Sequence, residues 1–378
     1  MPDATRSHHV ILIPGLFGFG TLAGYDYFQH LESAIRERFE RAQLPVLIER
    51  VPSLPTSSIR ARAVVLAEVV RRSPDPYSIH LVGHSSGGLD ARLLMSPSTA
   101  LPGTRVPQAV RDRVRSVLGI NTPHYGTPLS AYFATVSGTR FLYVVSLLTV
   151  ASLSIGRIPL SVLERLVSTV RAADGLLGLD IQLIDDMTDQ VLSIVGVRGR
   201  KEIGDFMRRL AHDQAGIIQL MPEVSELFNA AVENHPNTRY GCIATAAPSP
   251  GPKRFLGAVI SPKRAMHLAL YTTLYSVASH PRELYPYAVP TPEQASALAR
   301  AFGRHIDPGD ADGVVPTLSM LWGDLVWCGA GDHLDVVGHF QDDRKPPAHV
   351  DWLKSGANYR RREFHQMVDS LCAYLLGS

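Results

Sequence analysis

The sequence predicts an α/β fold with a mostly parallel central sheet flanked by helices. Short apolar runs rich in β-branched residues recur near 9–15, 46–52, 78–84 and 114–123. Between several of these runs lie segments with the apolar spacing of helices. Strands and helices that alternate in this way build a parallel sheet with helical crossovers. A further observation fits this class of fold: a serine with a glycine two residues before and two residues after it lies at the junction of a predicted strand and a predicted helix.

Helices are predicted next to the sheet from the spacing of apolar residues. Segments 28–42 and 59–71 place apolar side chains three to four positions apart, as on one face of a helix. Thr291 and Gln294 have the spacing of a capping box, which indicates that a helix begins there. The last stretch, 359–376, also has helical character and is expected to close the fold.

The alternation of strands and helices stops after Pro123. The next convincing strand, 239–246, follows more than 110 residues later, whereas a helical crossover needs far fewer residues. Much of the intervening sequence has helical spacing. We therefore predict an α/β core at 1–127 and 237–378, and a helical cap or lid inserted at 128–236.

The composition fits a globular protein and argues against several partners. The chain has 37 basic and 35 acidic residues without a basic stripe, so nucleic acid is not expected. The longest uncharged apolar run, 141–156, is shorter than the roughly 20 residues that span a bilayer. The polar start MPDATRSHH has no features of a secretory leader, so a cytoplasmic location is expected. Three cysteines without metal-ligand spacing predict free thiols.

The most specific motif is Gly83-His84-Ser85-Ser86-Gly87, which follows the apolar run SIHLV and precedes LDARLLM, a segment with helical spacing. A G-x-S-x-G motif in this context is typical of a nucleophile elbow, a tight turn that exposes the serine hydroxyl. Glycines are needed because a side chain at either position would collide with the sheet or the helix. The N-terminus of the helix also stabilises developing negative charge. The motif predicts Ser85 as the nucleophile of an α/β-hydrolase fold.

A second motif, IPGLFGFG at 13–20, ends the first predicted strand. Because the carboxyl ends of parallel strands share one edge of the sheet, this loop is expected beside Ser85. Acyl transfer needs main-chain N–H donors there for the tetrahedral oxyanion. We predict the amides of Leu16 and Ser86 as these donors, and Phe17 as a substrate-binding residue.

An acid and a base must complete the site, and in this fold they follow the serine in the order Asp, then His. Asp312 in DADGVVP and His333 in GAGDHLD have that order. His333 would take the serine proton, and Asp312 would hold the imidazole. The sequence also contains competing candidates: Asp307, Asp310, Asp332, His305 and His339. Spacing alone leaves these alternatives open, and His84 and His124 are expected to shape the substrate pocket.

Together these motifs resemble bacterial triacylglycerol lipases of the Pseudomonas and Burkholderia type. The stretch IPGLFGFGTLAGYDYFQHLESAIRE is similar to the family's oxyanion loop and first helix, and NTPHYGTP is similar to its small-x-His-x-Gly segment. ADGVV and DHLD resemble the family's acid and histidine loops. The resemblance covers about the first 130 residues and 310–340, and it implies a triad of Ser85, Asp312 and His333.

The chain departs from the family pattern at several points. Pro14 stands where many members have His, which leaves the backbone oxyanion donor intact. Members often hold a structural calcium through the Asp two residues after the catalytic His, here Asp335, and through another Asp upstream of the acid. No Asp lies between Asp213 and Asp307, and calcium requires several oxygen ligands. We therefore expect no cofactor: the calcium site is lost or weak, and Asp335 hydrogen-bonds within its loop. The family's disulfide is not expected either.

These observations predict a carboxylester hydrolase, a lipase or esterase, that cleaves hydrophobic acyl esters at a lipid interface or in solution. The run 141–156 is the segment expected to cover the site as a lid. Two alternatives stay open: an intracellular depolymerase of aliphatic polyesters such as hydroxyalkanoates, and a non-catalytic binding protein of the same fold. The ordered Ser, Asp and His residues count against the binding protein, which needs no nucleophile on an elbow.

Overall fold

The fold is organised around one parallel sheet. The computed structural model describes residues 7–16, 21–22, 25–52, 56–104, 106–155, 188–189, 197–251, 262–280, 285, 287–342 and 348–377. Within these ranges the strands are β1 (His8–Ile13), β2 (Thr21–Leu22), β3 (Tyr25–Asp26), β4 (Val46–Arg50), β5 (Ser78–His84), β6 (Val114–Ile120), β7 (Arg239–Ala246) and β8 (Asp324–Ala330). The main sheet has the order β4-β1-β5-β6-β7-β8, with all neighbours parallel. Strands β2 and β3 form a separate antiparallel pair.

The predicted parallel sheet is confirmed. Strands β1, β4, β5, β6 and β7 lie within the five apolar runs that the sequence indicates. Strand β8 was not predicted. It lies at the edge of the main sheet, and most of its side chains are only half-buried or exposed. An edge strand of this kind needs no long apolar run, so its sequence pattern is weak.

Helices pack against the sheet and close the fold. In the described part of the chain they are α1 (Gln29–Arg41), α2 (Ile59–Arg71), α3 (Gly87–Met95), α4 (Gln108–Arg111), α5 (Pro128–Phe133), α6 (Val136–Ile155), α7 (Val197–His212), α8 (Ala215–Ile218), α9 (Pro222–Ala231), α10 (Pro262–Ala278), α11 (Pro292–Phe302) and α12 (Arg361–Leu376). Helices α1, α2 and α12 confirm the predicted segments. Helix α11 begins with the predicted capping box, since Thr291 and Gln294 each bond the other's backbone.

The core lies on both faces of the sheet. Val10 and Leu12 of β1 belong to one apolar cluster, which also includes side chains of α1 and α12. Ile11 and Ile13 belong to another, which includes side chains of α2 and α3. This division follows from the alternating direction of side chains along a strand. Because the sheet is fixed from both sides, the loops at its carboxyl edge are attached to a rigid base.

The three cysteines are free thiols, as predicted. Burial raises the pKa of Cys242 and of Cys372 to about 12, so both thiols stay protonated. They act as small apolar side chains in the core, and Cys328 is only partly buried.

Helices α5 to α9 stand between β6 and β7, where the sequence predicts an inserted cap. The predicted helical pattern at 203–213 lies largely in α7. Two other predicted helices, at 160–172 and at most of 181–195, fall outside the described residues. The division of the chain into a core and a cap at 128–236 therefore stays a prediction.

The apolar run 141–156 forms most of helix α6. Several of its side chains are buried in the main core: Phe141, Leu142, Val144, Val145 and Leu147. Exposing one such side chain to water costs about 1.5–3 kcal/mol, so any opening of this helix would have to be offset by new contacts. Its role as a lid stays a prediction. Among the described helices, none is long and apolar enough to cross a membrane.

Buried histidines should make the fold sensitive to acid. Burial lowers the pKa of His9 and His30 to about 4, and that of His80 and His339 to about 3. Below the ordinary value of 6.5 the unfolded chain binds protons that the native rings do not. The corresponding stability is therefore present above that pH and is lost as the pH falls towards 4.

We expect the free energy of unfolding in urea to fall steeply between about pH 6.5 and pH 4, by up to about 1.4 kcal/mol per pH unit for each histidine. Tryptophan fluorescence can follow the transition at each pH. A His9→Asn variant should give a shallower slope than the wild type. A free energy that stays constant across this range would contradict the prediction.

Candidate active site

Ser85 lies on a strained turn between β5 and α3. Its φ is +55°, a region that costs a non-glycine residue about 1–3 kcal/mol. The Ser85 amide donates to the Ile120 carbonyl at 2.8 Å, which ties the turn to β6. A β-carbon on Gly83 would lie 2.3 Å from the Gly88 nitrogen, and one on Gly87 would lie 2.3 Å from the Ile13 carbonyl oxygen. The glycines on each side of Ser85 are thus required by backbone crowding.

A Gly83→Ala variant should lose stability, because its new methyl group would meet only backbone atoms at the elbow. Overpacking of this kind costs about 1–3 kcal/mol, or more where backbone must move. Thermal unfolding should show a lower Tm. Gly204→Ala in α7 is the matched control: no described atom lies within 4 Å of its added carbon, so it should stabilise the helix by about 0.5–1 kcal/mol. Equal Tm changes for the two variants would contradict the crowding argument.

The loop after β1 packs directly against Ser85. A β-carbon on Gly15 would lie 2.5 Å from the Ser85 β-carbon and 3.0 Å from its Oγ. Leu16 follows in this loop, and Ser86 is the N-cap of α3. Within the described ranges, the amides of Leu16 and Ser86 form no hydrogen bond to other protein groups. Phe17, the predicted substrate contact, lies outside the described residues.

The side chains of Asp312 and His333 are brought together by the loops around β8. His333 Nδ1 donates to Asp312 Oδ2 at 2.6 Å. Both side chains are almost fully buried. Asp312 Oδ1 accepts from the amides of Val314 and Val315, at 2.8 and 2.7 Å. These bonds hold the carboxylate in place and leave His333 Nε2 as the nitrogen that can act on a substrate.

Three of the five competing candidates have other partners, and Asp307 is exposed. Asp310 pairs with Arg304, whose Nη1 lies 2.6 Å from Asp310 Oδ2. Asp332 accepts hydrogen bonds from amides of its own loop. His305 is exposed, and His339 donates through Nε2 to the Tyr27 carbonyl at 3.0 Å. Each of these contacts favours Asp312 and His333 as the acid and base.

Asn121 is a site residue that the sequence analysis did not single out. Its Nδ2 donates to Asp312 Oδ2 at 3.0 Å and to Thr245 Oγ1 at 2.7 Å. Its φ is +47°, so the backbone turns sharply where β6 ends. Asn121 therefore fixes the carboxylate that contacts His333. A polar residue directly after a predicted buried strand was the available signal.

His84 lies beneath the elbow, with both ring nitrogens bonded to the protein. Its Nε2 donates to the His333 carbonyl at 2.8 Å, and its Nδ1 accepts from the Tyr27 hydroxyl at 2.6 Å. The ring is completely buried. Burial and the neighbouring His333 hold the pKa of His84 well below its ordinary value. The ring is therefore neutral and both nitrogens have protein partners, and its predicted contact with substrate stays a prediction.

His124 belongs to a second buried cluster, next to α3. Its Nδ1 accepts from Arg92 Nη1 at 3.2 Å, and its ring stacks on Trp322. The Arg92 guanidinium lies 3.4 Å from the Trp322 ring centroid. Burial and Arg92 lower the pKa of His124 well below its ordinary value. His124 thus braces the helix that follows Ser85, and its predicted contact with substrate stays a prediction.

The loop that carries His333 also contains the candidate calcium ligand. Asp335 Oδ2 accepts from the Asp332 amide at 2.8 Å, which is the hydrogen bond within the loop that the sequence predicts. Asp332 Oδ1 accepts from two amides and from Trp352 Nε1. Burial raises the pKa of both carboxyls, and for Asp335 the nearby Asp332 raises it further. Among the described residues no group of three His, Cys, Asp or Glu side chains could hold a metal ion. The expectation that the family's calcium site is lost or weak stays a prediction.

Calcium should therefore change the stability of this protein little. We expect EDTA and excess calcium to give Tm values within about 2 °C of each other, since a ligand that binds the native state would raise the Tm. Differential scanning fluorimetry provides the measurement. A larger calcium-dependent rise in Tm that is lost in Asp335→Asn would contradict the prediction and restore the family site.

Sequence comparisons agree with the resemblance described above. No family model matches the chain. A triacylglycerol lipase from Vibrio cholerae is 34% identical over 118 residues, which are 29% of this chain and 36% of the relative. A triacylglycerol lipase from Pseudomonas fragi is 24% identical over 134 residues, which are 34% of this chain and 40% of the relative. The chain thus matches less than half the length of these two relatives.

Solved structures show the same fold over nearly the whole chain. EstA from Clostridium botulinum matches with a TM-score of 0.52 and 17% identity, covering 98% of this chain and 89% of EstA. Lipase 1 from Pelosinus fermentans matches with a TM-score of 0.51 and 18% identity, covering 97% and 99%. The Staphylococcus hyicus lipase gives a TM-score of 0.50 at 15% identity, covering 100% and 97%. This chain has the α/β-hydrolase fold, and its sequence is similar to bacterial triacylglycerol lipases over about a third of its length.

Proposed function

We propose that this protein is a carboxylester hydrolase that cleaves hydrophobic acyl esters through an acyl-enzyme intermediate on Ser85. The observation that carries the proposal is the 2.6 Å contact of His333 Nδ1 with Asp312 Oδ2. Ser85 follows β5 and His333 follows β8, and both strands end at the same edge of the parallel sheet. A serine on a strained turn, an imidazole and a buried Asp side chain at one edge are the groups that acyl transfer needs.

The chemistry follows from the roles of these groups. His333 Nε2 takes the proton of Ser85 Oγ as the oxygen attacks the ester carbonyl carbon. The amides of Leu16 and Ser86 donate to the oxyanion that forms. The imidazolium, stabilised by Asp312, then protonates the leaving alkoxide. A water molecule repeats the sequence, and its attack releases the acid and regenerates Ser85.

The substrate class is proposed from the relatives rather than from the site geometry. Two relatives are named triacylglycerol lipases, and the motifs around Ser85, Asp312 and His333 resemble those of that family. Esters with an apolar acyl chain are therefore the proposed substrates. The proposed cap supplies apolar side chains beside the core, among them Phe141, Leu142, Val144, Val145 and Leu147 of α6.

Labelling by a fluorophosphonate probe, with peptide mapping, tests the nucleophile directly. Modification of Ser85 in the wild-type protein is expected. Failure of the folded protein to label would favour a non-catalytic binding protein. An ester panel then tests the substrate: p-nitrophenyl esters of increasing chain length, emulsified triglycerides and suspended polyhydroxyalkanoate. Turnover of the polymer alone would favour the polyester depolymerase.

The same panel tests the lid. A rise in rate when the ester passes its solubility limit and forms droplets would support movement of α6. A rate that saturates smoothly through that limit would indicate that α6 stays packed in the core, as its buried side chains are in this structure.

A further inference from the structure

We propose that His84 and Tyr27 form a positioning pair that fixes the main chain of His333 relative to Ser85. The inference rests on the proposed function. It assigns these two residues a role that the Ser, His and Asp side chains do not supply. Asp312 holds the His333 ring by its Nδ1, whereas His84 holds the His333 carbonyl oxygen. The base is thus held at two points.

The direction of the hydrogen bonds determines the protonation of the pair. A carbonyl oxygen can only accept, so His84 must carry its proton on Nε2. In the neutral ring Nδ1 is then the acceptor, and the Tyr27 hydroxyl is its donor at 2.6 Å. The Tyr27 carbonyl in turn accepts from His339 Nε2 at 3.0 Å. The chain therefore runs from His339 through Tyr27 and His84 to His333, with each donor matched to an acceptor.

The pair joins two parts of the site that are distant in sequence. His84 immediately precedes Ser85, and it is 249 residues away from His333. The ring of His84 also lies against the His333 ring, with 4.8 Å between centroids. One side chain thus links the end of the nucleophile strand to the loop of the base. Because rates of acyl transfer depend on sub-ångström alignment of nucleophile and base, this link controls turnover.

Burial makes the link stiff. Tyr27 and His84 are at most 2% exposed, so water does not compete for their hydrogen bonds. Loss of the His84 ring would leave the His333 carbonyl and the Tyr27 hydroxyl buried without these partners. The loop of His333 would keep its other contacts, among them the Asp332 carboxylate, which accepts from the amides of Leu334 and Asp335.

The test compares His84→Leu with His80→Leu. His80 is in the same strand and equally buried, and it bonds to His8 and Ser116 rather than to the site. We expect His84→Leu to lower kcat for p-nitrophenyl butyrate and the rate of fluorophosphonate labelling by about 10- to 100-fold. KM should stay within about twofold. His80→Leu should keep both rates near those of the wild type, although its Tm falls.

Rescue and a milder variant complete the test. His84→Gln keeps an amide donor and an acceptor, so it should recover part of the lost rate. Tyr27→Phe removes a single hydroxyl and should therefore fold even if His84→Leu does not. It tests the same pair of residues. It should lower kcat several-fold without changing KM.

Two outcomes would overturn the proposal. One is equal loss of kcat in His84→Leu and His80→Leu, which would indicate a general effect of lost stability. The other is wild-type kcat in both folded His84→Leu and Tyr27→Phe. Neither outcome affects the proposed function. That function fails separately, if the wild-type protein neither labels nor hydrolyses esters.

Discussion

Replacing Ser85 with alanine should abolish ester hydrolysis. We expect kcat to fall on the order of 10⁴- to 10⁶-fold, as when the nucleophile of a catalytic triad is removed. The reason is that the variant lacks the hydroxyl proposed to attack the ester, which is held on the turn where φ is +55°, beside the Gly15 loop. The backbone of the elbow accommodates alanine as it does serine, so folding should be kept. Steady-state kinetics and intact-mass analysis after fluorophosphonate treatment provide the two measurements.

Ser96→Ala is the matched control for Ser85→Ala. Ser96 is a buried serine that follows α3, at the opposite end of the helix from the elbow, and its Oγ bonds to Ser98. Its loss should lower stability and leave labelling at Ser85 intact. Turnover by Ser85→Ala above a tenth of the wild-type rate would show that the nucleophile is a different residue.

The second large effect is expected for Asp312→Asn, with a decrease in kcat on the order of 10⁴-fold. The hydrogen-bond partners of this carboxylate are all donors: the amides of Val314 and Val315, Asn121 Nδ2 and His333 Nδ1. An asparagine amide brings two N–H groups into this shell. In either orientation of the amide, its N–H group faces a group that is also a hydrogen-bond donor. If the amide nitrogen faces His333, His333 Nδ1 must accept, so the ring carries its proton on Nε2 and cannot take the serine proton.

Asp310→Asn separates this effect from the loss of a nearby negative charge. Asp310 is two residues away, and its buried carboxylate pairs with the half-exposed side chain of Arg304. Its variant should hydrolyse esters within about threefold of the wild-type rate. If instead Asp310→Asn lost activity and Asp312→Asn kept it, the acid would be Asp310, and the geometry around His333 would have to differ in solution.

The pattern of glycines around Ser85 made the elbow predictable. A turn of this type is specified over a few adjacent residues, because the steric demands on Gly83 and Gly87 are local. The same holds for the capping box at Thr291, which involves one helical turn. Features that are determined by a few adjacent residues can therefore be predicted from the sequence.

The partners of the site were harder to predict. Asn121 contacts Asp312 across 191 positions, and Tyr27 contacts His84 across 57. The position of Asn121 at the end of a strand marks it as polar but does not indicate its partner, and no local pattern marks Tyr27. The edge strand β8 was missed for a related reason: its half-buried side chains need no continuous apolar run.

The sequence by itself determined the parallel α/β architecture, the position of the nucleophile turn and the order of the candidate acid and base. Apolar runs and crowded glycines specify structure through residues that are close together in the sequence, so they can be recognised there. Only the tertiary structure showed which aspartate contacts which histidine, because that contact depends on which loops meet at the sheet edge. It also showed the buried hydrogen bonds of His84, since the donors and acceptors around its ring come from segments far apart in the chain.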